Sequence, residues 1–379
     1  MSKPRFPRSF VEELAVGDVV AVVGSGPSVA AGYPSWEKLL DAMIQECENE
    51  APGMAVTREL RRELRKGHLL EVAGECTRLL SPAHYRRFMQ KVFSGNAIGP
   101  HGLHERLASL PFSSFLTTNY DDLLEVALRK HRVGQPVDVF SWKNVAMLAD
   151  AVQRRRCYVF KLHGEIGDIE SVVISQQHYH DLLFRNEPYQ TALSQVLLSR
   201  TALFVGYGLR DLDLLLALGR HSTVFRGFSR THYALLPDVS GVLARSFEAN
   251  FGIKVIPYSR KRNDNALDEA LAALTEAVES ASSARSANNL QSVEHLLDVE
   301  RAFCTDMGTY IEATRARFLR HQLGLKLSAE DRDLIDRSIS YWETLDTTRT
   351  HLEGQLRQRE RLAGCGKTVE FGNCILRVA

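Results

Sequence analysis

Four short strings in this 379-residue chain gather polar or titratable residues, three of them beside glycine, each at the end of an apolar run. Gly24-Ser-Gly-Pro-Ser-Val-Ala-Ala-Gly32-Tyr-Pro34 follows Val19-Val-Ala-Val-Val23 directly. Glycine at 24 and 26 lets the backbone turn sharply and approach an anion such as a pyrophosphate, while a following helix aims free N–H groups at the same charge. Thr117-Thr-Asn-Tyr-Asp121, Lys161-Leu-His-Gly164 and Gly206-Tyr-Gly-Leu-Arg-Asp-Leu-Asp213 close three further apolar runs. Asn119 offers an amide donor and an acceptor, and His163 has a side chain that titrates near neutral pH. Each string alone has a plainer account. The glycines make a strand-to-helix turn, Asn119 caps a turn or helix, His163 is structural, and the aspartates at 121, 122, 211 and 213 cap helices. Together they mark the carboxyl ends of strands, where open α/β sheets assemble their ligand crevice.

The elements that would position these strings read as alternating strands and helices. Val19–Val23 has the continuous hydrophobicity of a strand buried on both faces of a parallel sheet. Phe112–Thr118, Tyr158–Leu162, Ala202–Val205, His232–Leu236 and Ile253–Ile256 are five more candidates, separated by segments with helical spacing. Trp36-Glu-Lys-Leu-Leu-Asp-Ala-Met-Ile opens a helix, and a strand-free stretch from about 48 to 108, broken at Pro52-Gly53, Ser81-Pro82 and Gly95 to Gly102, reads as a helical insertion. The predicted fold is α/β, a doubly wound and mostly parallel sheet.

The small, polar stretch Glu279 to Asn289 marks a domain border, giving one domain over 1–285 and a second over 286–379. Beyond it, a helical stripe through Val293, Leu297, Phe303, Met307 and Phe318, then a second helix from Ser328 to Arg361, predicts a hairpin. Residues near Gly372-Asn373 predict short terminal strands. Such a hairpin buries little alone, so a role in oligomerisation or regulation is expected.

The four strings, in this order, resemble the hallmarks of the sirtuin-like NAD-consuming domains of bacterial antiphage-defence proteins, over roughly Val19 to Tyr258. The resemblance implies a Rossmann-like sirtuin fold with Asn119 and His163 as the catalytic pair and Asp121 in the nicotinamide-ribose pocket. It also implies that Gly24, Ser25, Gly26 and Ser28 contact the phosphates, that Gly206, Gly208, Asp211 and Asp213 form the floor near the adenosine ribose, and that Tyr258 ends the last nucleotide-contacting strand. Breaking the bond to nicotinamide develops an oxocarbenium ion, so the site needs groups that position ribose and water without carrying positive charge. Asn119 can hold a ribose hydroxyl or the water, and His163 can accept its proton.

The activity so implied is an NAD+ glycohydrolase releasing nicotinamide and ADP-ribose, a defence effector that depletes NAD+ when activated. Two alternatives stand beside it: an NAD-dependent protein deacylase, and a non-catalytic NAD or ADP-ribose sensor. Deacylating sirtuins carry a four-cysteine zinc module and place Phe-Arg soon after the loop's proline. Here the six cysteines form no C-x-x-C pair, and Pro34 is followed by Ser-Trp-Glu. Both departures favour water as the acceptor. A constant NADase would be toxic, so control by a ligand or a partner is expected, and the resemblance implies a homo-oligomer or a separate partner such as a HerA-type ATPase.

Composition narrows the remaining classes. A formal charge of +1 provides no bulk field for nucleic acid or an anionic membrane. The amino terminus lacks the apolar core of a secretory signal, and no run approaches a membrane span, so a cytoplasmic protein is expected. His178 and His180 stand two apart, the wrong spacing for one helical face, and no metal is expected. His101 and His104 read as structural. Tyr33 and Trp36 read as pocket walls or as core.

Overall fold

The computed structural model describes residues 4–50, 55–94, 98–209, 212–225, 230–260, 265–284, 370–371 and 374–375. Seven parallel strands form one sheet: β1 (Val19–Val23), β2 (Ser114–Thr117), β3 (Asp138–Ser141), β4 (Tyr158–Lys161), β5 (Thr201–Val205), β6 (His232–Pro237) and β7 (Ile253–Tyr258). Their spatial order is β3-β4-β2-β1-β5-β6-β7. The chain leaves β1 toward one edge and, after β4, returns to the other side of β1 with β5. That reversal is the topological switch point at which open α/β sheets bind ligands.

Alternation along the strands divides the apolar residues between two cores. Val20, Val22, Leu116, Phe160, Ala202 and Phe204 face one side, against the helices Val145–Gln153, Gln176–Arg185, Glu187–Ser199, Leu212–Phe225 and Gly241–Phe251. Val19, Ala21, Val23, Phe115, Val159 and Leu203 face the other, against Arg8–Ala15, Gly102–Ser109, Leu123–His131 and the helix over 266–284. Both faces are covered, which is why the central strands read as unbroken apolar runs.

β3 is a strand beyond the six expected from the apolar runs. Asp138-Val-Phe-Ser is four residues long, begins on a charge and forms the sheet edge with its first two residues only half buried, so it lacks the signature of its buried neighbours. The stretch read as an insertion is helical among its described residues: Ala55–Lys66, Leu69–Leu79 and Pro82–Ser94 pack with the preceding helix Trp36–Glu50 around a third core of Leu40, Met43, Ile44, Cys47, Cys76 and Met89. The residue pattern alone leaves Ala55–Lys66 and Leu69–Leu79 as one helix. Gly67, at φ 87°, separates them in a conformation that favours glycine.

Two units divide at Ser283 and Ala284. In the second, Glu370–Phe371 pairs antiparallel with Cys374–Ile375. The predicted helical hairpin lies outside the described residues. Among the described residues no helix is long and apolar enough to cross a membrane.

Candidate active site

The glycine loop and the end of β5 are built against each other. Gly24 N–H donates to the Val205 carbonyl at 3.0 Å, and Gly26 N–H donates to the Gly206 carbonyl at 3.0 Å. A Cβ on Gly24 would lie 2.6 Å from Gly206 O and 2.8 Å from Tyr207 Cα, and one on Gly26 would lie 2.8 Å from Gly206 Cα. Gly206 has φ 61°. Glycine is required here because two backbones touch. Both of these N–H groups are thus engaged, by the last residue of β5 and by the residue after it. Ser25 is exposed at the start of the following helix, whereas Ser28 is buried.

Asn119 stands two residues past Thr117, the last residue of β2. Its Nδ2 donates to Gly24 O and to Ser28 Oγ, each at 3.0 Å. Both amide protons are therefore committed to the glycine loop, which leaves Oδ1 as the atom that can accept from a ligand. From below, Thr117 Oγ1 donates to Val23 O and accepts from Asn119 N–H. Ser28 thus orients the amide.

His163 follows β4 in the neighbouring position. Leu162 N–H donates to Thr117 O at 2.8 Å, so Asn119 and His163 are held two residues and one residue beyond a single interstrand bond. His163 is 3% exposed, its Nδ1 lies 3.4 Å from the Tyr179 hydroxyl, and the two rings meet edge to face at 5.0 Å. If Nδ1 carries the proton toward Tyr179, the Nε2 lone pair is the basic one. Gly164 fixes the turn after it: φ is 80°, and a Cβ would lie 2.1 Å from Ser171 O.

Asp121 is buried, and its Oδ1 accepts from Leu123 N–H at 3.2 Å. Below it lie charges to which the sequence reading gave no role. Lys161 Nζ meets Glu125 Oε1 at 2.7 Å and the Asp121 main-chain oxygen at 2.5 Å. Burial pushes the Glu125 carboxyl up, against the pull of Lys161. His104, with no exposed surface, accepts from His101 N–H at Nδ1, and burial lowers its pKa to about 4 despite the Asp121 charge. A charged residue inside each apolar run was the visible signal.

The helical insertion meets the site through aromatic side chains. Tyr120, between Asn119 and Asp121, belongs to the insertion core and donates to Val173 O at 2.8 Å. Phe93 meets Tyr120 edge to face at 5.7 Å and stacks on Tyr33 at 5.5 Å. Tyr33 donates to Phe93 O, and burial, then Asp121 and Asp122, raise its pKa. Tyr33 is therefore a buried wall between the glycine loop and the insertion.

Gly208 is exposed, and the buried Leu209 beside it takes a left-handed φ of 50°, a strained backbone of the kind that gathers at ligand sites. Asp213 falls at the start of the helix Leu212–Phe225, and Asp211 lies outside the described residues. Tyr258 ends β7, three strand spacings or about 14 Å from β1. His178 Nδ1 accepts from Ile174 N–H, and among the described residues no three histidine, cysteine or carboxylate side chains gather as metal ligands.

The sheet order and the loops at its switch point define a doubly wound, Rossmann-type α/β domain. The SIR2-like domain family model matches residues 113–256. The chain is 29% identical over 238 residues to the NAD(+) hydrolase ThsA of Bacillus cereus (strain MSX-D12), covering 61% of this chain and 45% of that protein. It is 31% identical over 240 residues to the NAD(+) hydrolase ThsA of Acinetobacter baumannii (strain 532279), covering 61% and 44%. Similarity to the defense-associated sirtuin 2 of Bacillus subtilis is 25% over 211 residues, covering 55% and 19%. The chain thus spans less than half the length of the curated relatives it matches.

Proposed function

We propose that this chain is an NAD+ hydrolase that cleaves NAD+ and water to nicotinamide, ADP-ribose and a proton. The observation that carries the reading is the Asn119 amide, locked by Gly24 O and Ser28 Oγ at the switch point of a SIR2-like sheet, within one strand of His163. The names of the similar proteins support the same reaction. In this reading Asn119 Oδ1 accepts from a ribose hydroxyl or the attacking water, and the Asp121 carboxylate favours the cationic transition state. His163 takes the water's proton as the oxygen bonds to C1′ and the bond to nicotinamide breaks.

The phosphates fall to Ser25 and the loop around Gly24 and Gly26, with Ser28 supporting Asn119 from behind. The adenosine side is assigned to Gly206, Gly208, Asp211 and Asp213 by their place in the sequence pattern, and its far end to Tyr258. Water is the acceptor, in keeping with a sequence that carries no C-x-x-C pair. NAD+ depletion in antiphage defence, activation by a partner or by self-assembly, and a regulatory C-terminal unit complete the proposal. Incubating the purified protein with NAD+, with and without an acylated peptide, tests it. Nicotinamide release without peptide is expected, and release only with peptide would favour the deacylase.

A further inference from the structure

Lysine is almost never fully buried unless paired, yet Lys161, the last residue of β4 and one strand in from the sheet edge, is 1% exposed. Its Nζ reaches Glu125 Oε1 at 2.7 Å and the Asp121 main-chain oxygen at 2.5 Å. The second carboxylate oxygen of Glu125 has no hydrogen-bond partner among the described residues. A half-satisfied buried ion pair is a poor device for stability, because apolar residues of equal volume would avoid the desolvation cost. What this pair does instead is geometric. The Lys161 bond fastens the segment that carries Asn119 and Asp121, past the end of β2, to β4 two residues before His163.

We propose that Lys161, with Glu125 as its counter-ion, is a positioning residue that sets the Asn119–Asp121 segment against His163 for glycosidic-bond cleavage. This rests on the hydrolase reading. Tyr33 and His104 face the same segment, and Tyr120 pins it to the insertion core, but of these four only Lys161 also stands on the strand that delivers His163. An error of an ångström between two such groups costs on the order of a hundredfold in rate.

The test uses the full chain with both partners replaced, as Lys161→Met/Glu125→Met and as Lys161→Gln/Glu125→Gln, so that no buried charge is stranded. Melting temperature, kcat and KM for NAD+, and hydrogen exchange over residues 119–123 are measured. Each folded double variant should keep a melting temperature near that of the parent. Its kcat should fall by about tenfold or more with KM within about threefold, the pattern of a group that acts in the transition state. Exchange over 119–123 should quicken. Parental kcat in a folded double variant, or unchanged exchange over that segment, overturns the proposal. A parent protein that releases no nicotinamide refutes the hydrolase reading instead, while the exchange result still decides whether Lys161 holds the segment.

Discussion

Gly24 and Gly206, 182 positions apart, approach so closely that a single methyl group on Gly24 would stand 2.6 Å from the Gly206 carbonyl oxygen. Tyr207 Cα, also backbone, bounds the same space at 2.8 Å, so neither neighbour can rotate away. Gly24→Ala should cost about 1–3 kcal/mol of stability through overpacking. Gly99→Ala, where the added carbon meets nothing within 4 Å, should change it by less than about 0.5 kcal/mol. Urea unfolding of both variants checks the contrast, and equal losses would contradict the contact.

Ser28→Ala removes the hydroxyl that accepts one Asn119 proton. The amide then keeps only Gly24 O, and its Oδ1 loses its fixed aim. A cost of about 1 kcal/mol in stability is expected, with kcat for NAD+ cleavage down about tenfold and KM little changed. Steady-state kinetics on the folded variant would contradict this by showing a raised KM at parental kcat, the mark of direct phosphate contact.

Acid should unfold the protein in part through two buried histidines. His104 and His232 are held at about 4, against 6.5 for the free side chain, first by burial. A depressed value means that the unfolded chain binds the proton first. Each histidine therefore costs nothing at pH 7 and weakens the fold as pH falls from about 6.5 toward about 4. At pH 5 the loss is roughly 2 kcal/mol per residue. Unfolding free energies measured at pH 7, 6 and 5 should fall in that order. A flat profile would contradict the burial of neutral imidazoles.

Tyr179→Phe removes the hydroxyl 3.4 Å from His163 Nδ1 while leaving the ring that meets it. If that hydroxyl sets which nitrogen carries the proton, kcat should fall by about tenfold and the pH dependence of kcat should move. An unchanged pH–rate profile would separate Tyr179 from the chemistry.

Much of the sheet was legible because its central strands are buried on both faces. Val19–Val23 and Ala202–Val205 announce themselves as apolar runs, and the polar strings that follow them mark the crevice. The edge strand Asp138–Ser141 was not legible, since half of it faces outward. Asn119 and His163 stood out by type and position, but their supports did not. The pairing of Lys161 with Glu125, and of Gly24 with Gly206, joins residues far apart in the chain, and only the strand order reveals which strand ends are neighbours. The resemblance assigns Ser28 to the phosphates; the structure adds that its hydroxyl accepts from Asn119 Nδ2, a pairing no sequence pattern announces.

Nicotinamide release from NAD+ by the parent chain, Asn119→Ala and His163→Ala tests the central claim most directly, with folding verified by circular dichroism. The parent, in its active assembly, should release nicotinamide and ADP-ribose in equal amounts without any peptide, and both variants should fall to background. A folded variant that keeps the parental rate would remove that residue from the mechanism. Parental turnover that requires an acylated peptide would contradict hydrolysis itself.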